Sequence, residues 1–386
     1  MRILFVCAAG LGHVHPLIPL ARAAVAAGDE VLFATAAEGT AAIERLGFPA
    51  VAVPAGDPGE VAAAWARLPD RDVNTYVVAD IFVRIQGRAA LPAQRALIES
   101  FGADLVVSAE LGALVAAQAS GTPSAYVGIT ALDLDDLDLD RVVAAIDDLR
   151  AVAGLPRSGR LPFPDEAAYL SPVPPTLWAD PAHVPAGGLW YRHEDAEGPV
   201  SSVVPDRGDQ RPRIYATLGS VAGGNQIGRL VVEPLLEALG RLDADVTFTV
   251  GALDVSQIPD LPVNVTLAEY IPQAEAMTCD LAVVHGGSGT TVAALARGLP
   301  MVAVPMFADQ MHNADRLVEA HIGRRVDPDR IREQLTQAIE EVLTDPSYRA
   351  NAQRVAESIA ARPTPADAWN LLRRQTRPTG ATGRPR

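Results

Sequence analysis

The sequence predicts an α/β protein made of two Rossmann-like, doubly wound domains that face each other across a cleft. Three observations predict it. Short β-like runs alternate with Ala-rich amphipathic stretches from the first residues onward. The alternation lapses over 155–212, a region rich in Pro and Gly with no sustained period, and it resumes at Arg213. Strand–helix alternation predicts parallel sheets with helices on both faces, and a lapse between two such stretches marks an interdomain connection.

In the first half, residues 2–8 read as a buried strand. A helix is expected over 15–27, ended by Gly28, then a strand over 30–35, a helix near 39–46 and a strand near 49–54. Residues 104–107 and 124–128 are further strands, separated by a helix that runs to about Ser120, and a helix is expected near 142–151. In the second half, strands are expected at 213–218, 246–250, 263–267, 281–284 and 301–304. The helices there are 228–241, 290–297, 313–320, 331–343 and 348–361. The domains are therefore 1–205 and 206–360, connected near 198–212. A segment over 361–375 returns to the first domain, and 376–386 is a disordered tail. In such sheets ligands bind outside the carboxyl ends of the strands, so each domain offers its loops to the cleft.

Composition removes several classes of function. The chain has 386 residues, 49% of them hydrophobic, and a net charge of −15, which repels nucleic acid and disfavours docking of a polybasic patch on a membrane. No apolar run reaches the ~20 residues needed to span a bilayer, and no export signal is read at the start, so the cytoplasm is the expected location. All 32 basic residues counted as Lys or Arg are Arg, which excludes a Schiff-base lysine and a P-loop lysine. The two cysteines, Cys7 and Cys279, lie in strand-like contexts and read as core residues. The acidic run from Asp133 to Asp140 contains D-x-D but lies outside the second domain. It reads as a solvated helix entrance, and no metal or other cofactor is expected.

The candidate chemistry sits after strands. In AAGLGHVHP, Gly10 and Gly12 allow a tight turn near a ligand, and His13 falls at the strand-to-helix junction, where a general base would be useful. His15 is expected to be structural or to line an acceptor site. The most specific segment is His285-Gly286-Gly287-Ser288-Gly289-Thr290-Thr291, a strand end leading into a helix. Outward N–H groups and a positive helix dipole make it an anion site, suited to a diphosphate held by neutral donors. Asp309 and Gln310 follow one βα unit later and offer acceptors and a donor to sugar hydroxyls; Asp309 is equally a candidate N-cap for the next helix. Ser220, after the second domain's first strand, is within reach of a phosphate. Tyr270 in Tyr270-Ile271-Pro272-Gln273 can stack on a base.

These motifs resemble the donor-binding signature of the GT-B-fold glycosyltransferases. The similarity is greatest to the bacterial antibiotic and macrolide-type members of the family that includes the plant UDP-sugar transferases. The resemblance rests on Tyr270-Ile-Pro-Gln, HGGSGTT, Gly298-Leu-Pro, Asp309-Gln310 with Asn313, and the N-terminal GLGHVHPLIPLA. It implies an inverting, metal-independent transferase in which His13 deprotonates the acceptor hydroxyl. It further implies that His285, Ser288, Gly289 and Thr290 bind the diphosphate with help from Ser220, that Gly12 and Gly287 belong to the donor site, that Tyr270, Ile271 and Gln273 border the nucleobase and ribose, and that Asp309 and Gln310 contact the sugar. Many relatives place an Asp after the strand at 104–107 to orient the base; this chain has Glu110 there as the candidate. Tyr270 stands where Trp is frequent, and Val284 where many relatives have a first His. The resemblance favours a dTDP-deoxysugar donor. The apolar composition of 55–210 favours a hydrophobic small-molecule acceptor, and a homodimer is compatible with the chain. Two rival readings stay open: a nucleotide-sugar epimerase of the same architecture, and a non-catalytic helper that stabilises a transferase.

Overall fold

The computed structural model describes every residue except 70–71, 132–136, 164, 179–184, 199–210, 220–225, 252, 254–260 and 377–386. The expected boundary between residues 205 and 206 lies outside the described residues, as does the tail from residue 377.

The first sheet has seven parallel strands: β1 (Arg2–Val6), β2 (Glu30–Thr35), β3 (Ala50–Ala52), β4 (Leu105–Ser108), β5 (Ser124–Val127), β6 (Ala168–Ser171) and β7 (Leu189–Trp190). Their spatial order is β3-β2-β1-β4-β5-β6-β7. The chain winds one way from β1 to β3 and the other way from β4 onward. The strand order therefore reverses between β1 and β4, where Val6 pairs with Ser108. At such a switch point the two loops leaving the strands diverge and open a crevice.

The second sheet repeats this logic with β8 (Arg213–Thr217), β9 (Asp245–Thr249), β10 (Val265–Ala268), β11 (Leu281–Val284), β12 (Met301–Ala303) and β13 (Gly323–Arg325). Its order is β10-β9-β8-β11-β12-β13, so its switch point lies between β8 and β11, where Thr217 pairs with Val284. The central strands β8, β11 and β12 are buried on both faces, as helices on both sides of a parallel sheet require, while the edge strands β10 and β13 are partly exposed.

The structure corrects the reading of 155–212 as irregular: β6 and β7 lie within it. AYLS and LW are too short to show a period, and a strand buried on both faces does not alternate. The edge strand β13, GRR, and the helices Pro58–Trp65 and Arg88–Phe101 also went unread.

The last helix, Pro365–Thr376, packs on the first sheet's side of the molecule. Trp369 is fully buried beside Phe5, and its indole N–H donates to Asp29. Phe5 in turn stacks on Phe33, with ring centroids 5.0 Å apart; each such pair adds about 0.5–1.5 kcal/mol beyond the area it buries. The two halves touch directly. Val173, Leu177 and Trp178, which follow β6, bury themselves with Met277, Leu299 and Leu317 of the second half. Arg297 pairs with Asp195, which follows β7.

Candidate active site

The loops from the first switch point meet as the topology requires. His13 lies in the short helix Leu11–Val14 after β1, and Glu110 follows β4. His13 Nδ1 is 2.8 Å from Glu110 Oε1, and the same oxygen accepts the Ala8 N–H. Ser108 Oγ accepts the Glu110 N–H and donates to the Val6 carbonyl, tying the loop to both strands. The pair leaves Nε2 as the ring nitrogen free to act on another molecule. Burial opposes a charged imidazolium. The charge and hydrogen bond of Glu110, with a contribution from Asp309, outweigh it and hold the His13 pKa above its ordinary 6.5.

His13 and Glu110 stand in the wall of an open-mouthed pocket. The rest of the wall is almost wholly apolar, with Phe82, Tyr126, Leu161 and Phe163 among its members. Phe82 meets the His13 ring edge-on, and Phe163 stacks on Tyr126 with ring centroids 4.5 Å apart. Phe82 rides on the π-wound stretch Val77–Gly87; such windings are frequent at functional sites.

The second switch point brings the loop after β8 against the loop after β11. His285 lies between Gly219 and Gly287. A Cβ at Gly219 would stand 2.5 Å from His285 Cε1, and one at Gly287 2.4 Å from Nε2. Gly219 also has φ +73, which glycine adopts without strain. Burial pushes the His285 pKa down to about 4, against the pull of Asp309 and the Thr217 carbonyl, so the ring is neutral. The helix Ser288–Ala296 begins immediately beyond, and a Cβ at Gly289 would meet open space.

Asp309 links the two sides. Its Oδ2 accepts the Ser288 N–H at 3.1 Å, the Ser288 hydroxyl at 2.5 Å, Asn313 Nδ2 at 3.2 Å and the Thr130 hydroxyl at 3.2 Å. Thr130 follows β5 and is itself part of the apolar pocket's wall. Ala308 has φ 57, a conformation that costs a non-glycine residue roughly 1–2 kcal/mol and sets the turn into Asp309.

The family model for the erythromycin biosynthesis protein CIII-like C-terminal domain matches residues 233–373. Over 95% of the chain and 96% of the relative, the sequence is 30% identical to the L-demethylnoviosyl transferase of Streptomyces niveus. The chain belongs to the natural-product glycosyltransferases. The fold agrees. The glycosyltransferase SnogD from Streptomyces nogalater superposes with a TM-score of 0.77 at 26% identity, covering 98% of this chain and 99% of that one. The glycosyltransferase SsfS6 from Streptomyces sp. SF2575, solved with thymidine diphosphate, gives 0.76 at 26% identity, covering 97% and 99%. The protein is thus a GT-B-fold glycosyltransferase, and its two sheets are the two halves of that fold.

In this glycosyltransferase the residues named from sequence fall into three groups. His13 and Glu110 come together, as do His285, Gly287, Ser288 and Asp309, with Gly289 and Thr290 half-buried on the first turn of the same helix. Gly12 is exposed beside His13. A second group makes other contacts within the protein. Gln310 is buried, and its Oε1 accepts the N–H groups of Met306 and Phe307, so it braces its own loop. Tyr270 is half-exposed, and its hydroxyl donates to Glu197, which follows β7; Ile271 and Gln273 lie half-buried beside it. His15 is not in the pocket wall; it feels the charges of Glu197, Asp195 and His193, and burial holds its pKa down. Ser220 and the D-x-D residues Asp133 and Asp135 lie outside the described residues.

Two expectations change. Asp309 occupies the N-cap position of the helix Gln310–Glu319, but its side chain accepts from none of that helix's backbone N–H groups; the carboxylate is drawn instead to the Ser288 N–H and to the Asn313 side chain. The helix expected at 142–151 begins earlier, at Leu139, because Asp138 caps it by accepting the Arg141 N–H. The sequence reading also missed Thr130. The available signal was its place just beyond the carboxyl end of β5. Among the described residues no three His, Cys, Asp or Glu side chains converge as metal ligands, and no helix is long and apolar enough to cross a membrane.

Proposed function

We propose that the enzyme transfers a deoxysugar from a dTDP-sugar to a hydroxyl of a hydrophobic natural product, with inversion and without a metal ion. One observation carries the reading. Thr130 lines the apolar pocket that holds His13 and Glu110, and it also bonds Asp309 beside the glycine-rich helix start. The base, the acceptor pocket and the donor loop are therefore continuous.

In this mechanism His13 Nε2 takes the acceptor proton while Glu110 fixes the ring through Nδ1 and stabilises the imidazolium. The acceptor oxygen attacks the anomeric carbon as its bond to the diphosphate breaks, and the electron pair leaves with the diphosphate. A single displacement through an oxocarbenium-like state inverts the configuration. The leaving group gains charge where the helix Ser288–Ala296 presents its N–H groups and positive dipole end, which supports reaction without a cation. Neutral His285 adds one donor at that loop. Asp309 faces the sugar, exchanging its present donors for sugar hydroxyls. The use of dTDP is supported by the thymidine diphosphate bound to SsfS6. A hydrophobic acceptor is supported by the pocket wall. The reading favours transfer over epimerisation because a hydrophobic pocket opens on the base.

The test is calorimetric titration with dTDP and UDP in EDTA. Saturable binding, tighter for dTDP and weakened about tenfold by His285→Ala (about 1.4 kcal/mol), supports the donor site. No binding of either nucleotide at millimolar concentration refutes it.

A further inference from the structure

Two buried charged residues, Asp147 and Arg150, play no part in the chemistry above. Both lie on the helix Leu139–Val152, and both are more than nine-tenths buried. Leaving such groups in the interior is costly unless each is fully bonded, so their partners show what they hold.

All of those partners belong to the chain that follows the helix or to the neighbouring helix. Asp147 Oδ1 accepts the Ser158 N–H at 2.7 Å and Oδ2 the Gly159 N–H at 3.2 Å. Arg150 Nε donates to the Pro156 carbonyl at 2.8 Å; its Nη1 donates to Gln118 Oε1 at 2.6 Å and to Glu166 Oε2 at 3.1 Å. Gln118 Nε2 closes the ring by donating to Glu166. Burial would raise the Glu166 pKa, but the bonds from Gln118 and Arg160 and the charge of Arg150 hold it below the usual carboxylate range.

The clasped segment, 155–163, carries Leu161 and Phe163 into the apolar pocket. The opposite end of the same helix lines that pocket with Leu139 and Val142. The helix is thus a strut: one end is pocket wall, and the other grips the loop that supplies Leu161 and Phe163 to the same wall.

Resting on the acceptor-pocket reading above, we infer that Asp147 and Arg150 are positioning residues for acceptor selectivity. They fix where Leu161 and Phe163 stand against Tyr126, and so the width of the slot beside His13. They touch neither the donor loop nor the base.

The test compares Asp147→Asn, Arg150→Met and Arg150→Lys with the wild type. Ser158→Pro removes both the loop N–H and the hydroxyl that bond Asp147 without altering the helix, and serves if the buried variants fold poorly. Transfer is measured over hydroxylated acceptors of graded size, beside dTDP titration and hydrogen exchange over 155–163. The expected result is faster exchange there, acceptor KM raised about tenfold, a reordered acceptor preference and dTDP affinity within about twofold of wild type. Arg150→Lys rescues only in part, since an ammonium cannot reach the Pro156 carbonyl and the Gln118–Glu166 pair together. A uniform fall in kcat over all acceptors, a parallel loss of dTDP binding, or unchanged KM values would overturn the inference while leaving the transferase reading intact. A wild type that neither transfers to nor binds any acceptor would bring down both.

Discussion

His13 Nδ1 and Glu110 Oε1 are 2.8 Å apart, although 97 residues separate them in the chain. The contact exists because β1 and β4 are neighbours at the point where the sheet order reverses. The pair holds the ring by Nδ1 and favours its charged form.

Its pH behaviour is the first prediction. Activity requires neutral His13, and Glu110 favours the charged ring. The acidic limb of kcat/KM therefore rises through an apparent pKa above 6.5. In Glu110→Gln the limb moves to lower pH and the plateau falls. A pH–rate profile measures both. A limb that stays in place in the variant would remove Glu110 from the account.

A second prediction concerns His285, whose folded pKa is depressed to about 4. The ring is neutral across pH 6–8 on this account, so dTDP affinity changes little through its ionisation over that range. For stability the unfolded chain binds the proton more readily. The stability held by the buried neutral ring is present above about pH 6.5 and is lost as pH falls towards about 4. Chemical denaturation of wild type and His285→Asn across that window shows a steeper acid loss for the wild type.

Gly287→Ala supplies a third. The added Cβ would lie 2.4 Å from His285 Nε2, so the ring must move. We expect dTDP binding to weaken about tenfold while the His13 pH limb stays in place. Titration and a pH profile on the same variant decide it.

The fourth is Asp309→Asn. The carboxylate gathers four donors, and hydrogen bonds to a charged group are worth about 1.5–3 kcal/mol each. The variant should lose thermal stability. If Asp309 also reads the sugar, affinity for a dTDP-sugar should fall more than affinity for dTDP itself. Equal losses for the two ligands would confine Asp309 to a structural role.

How much of this was legible in the sequence depended on the kind of signal. The HGGSGTT loop was readable because anion binding at a helix start needs glycine and small hydroxyl residues in consecutive positions. Glu110 was visible only as a candidate, because a strand order that brings it to His13 is not written in local periodicity. Thr130, Phe82 and Phe163 were not readable at all. Each belongs to a different loop or helix, and only tertiary packing makes them one wall. Gln310 shows the converse. Its place beside Asp309 marked it for the sugar, yet the need of two loop N–H groups for an acceptor turned it inward.

The most direct test of the central claim is acceptor-dependent release of dTDP. Purified enzyme is incubated in EDTA with a dTDP-deoxysugar and a hydroxylated hydrophobic acceptor, and wild type is compared with His13→Ala. The expected result is dTDP and glycosylated product in equal amounts, with inverted anomeric configuration, and a fall of about 10²–10⁴-fold in rate for the variant at unchanged dTDP affinity. Release that needs no acceptor, or a variant that transfers at the wild-type rate, would contradict it.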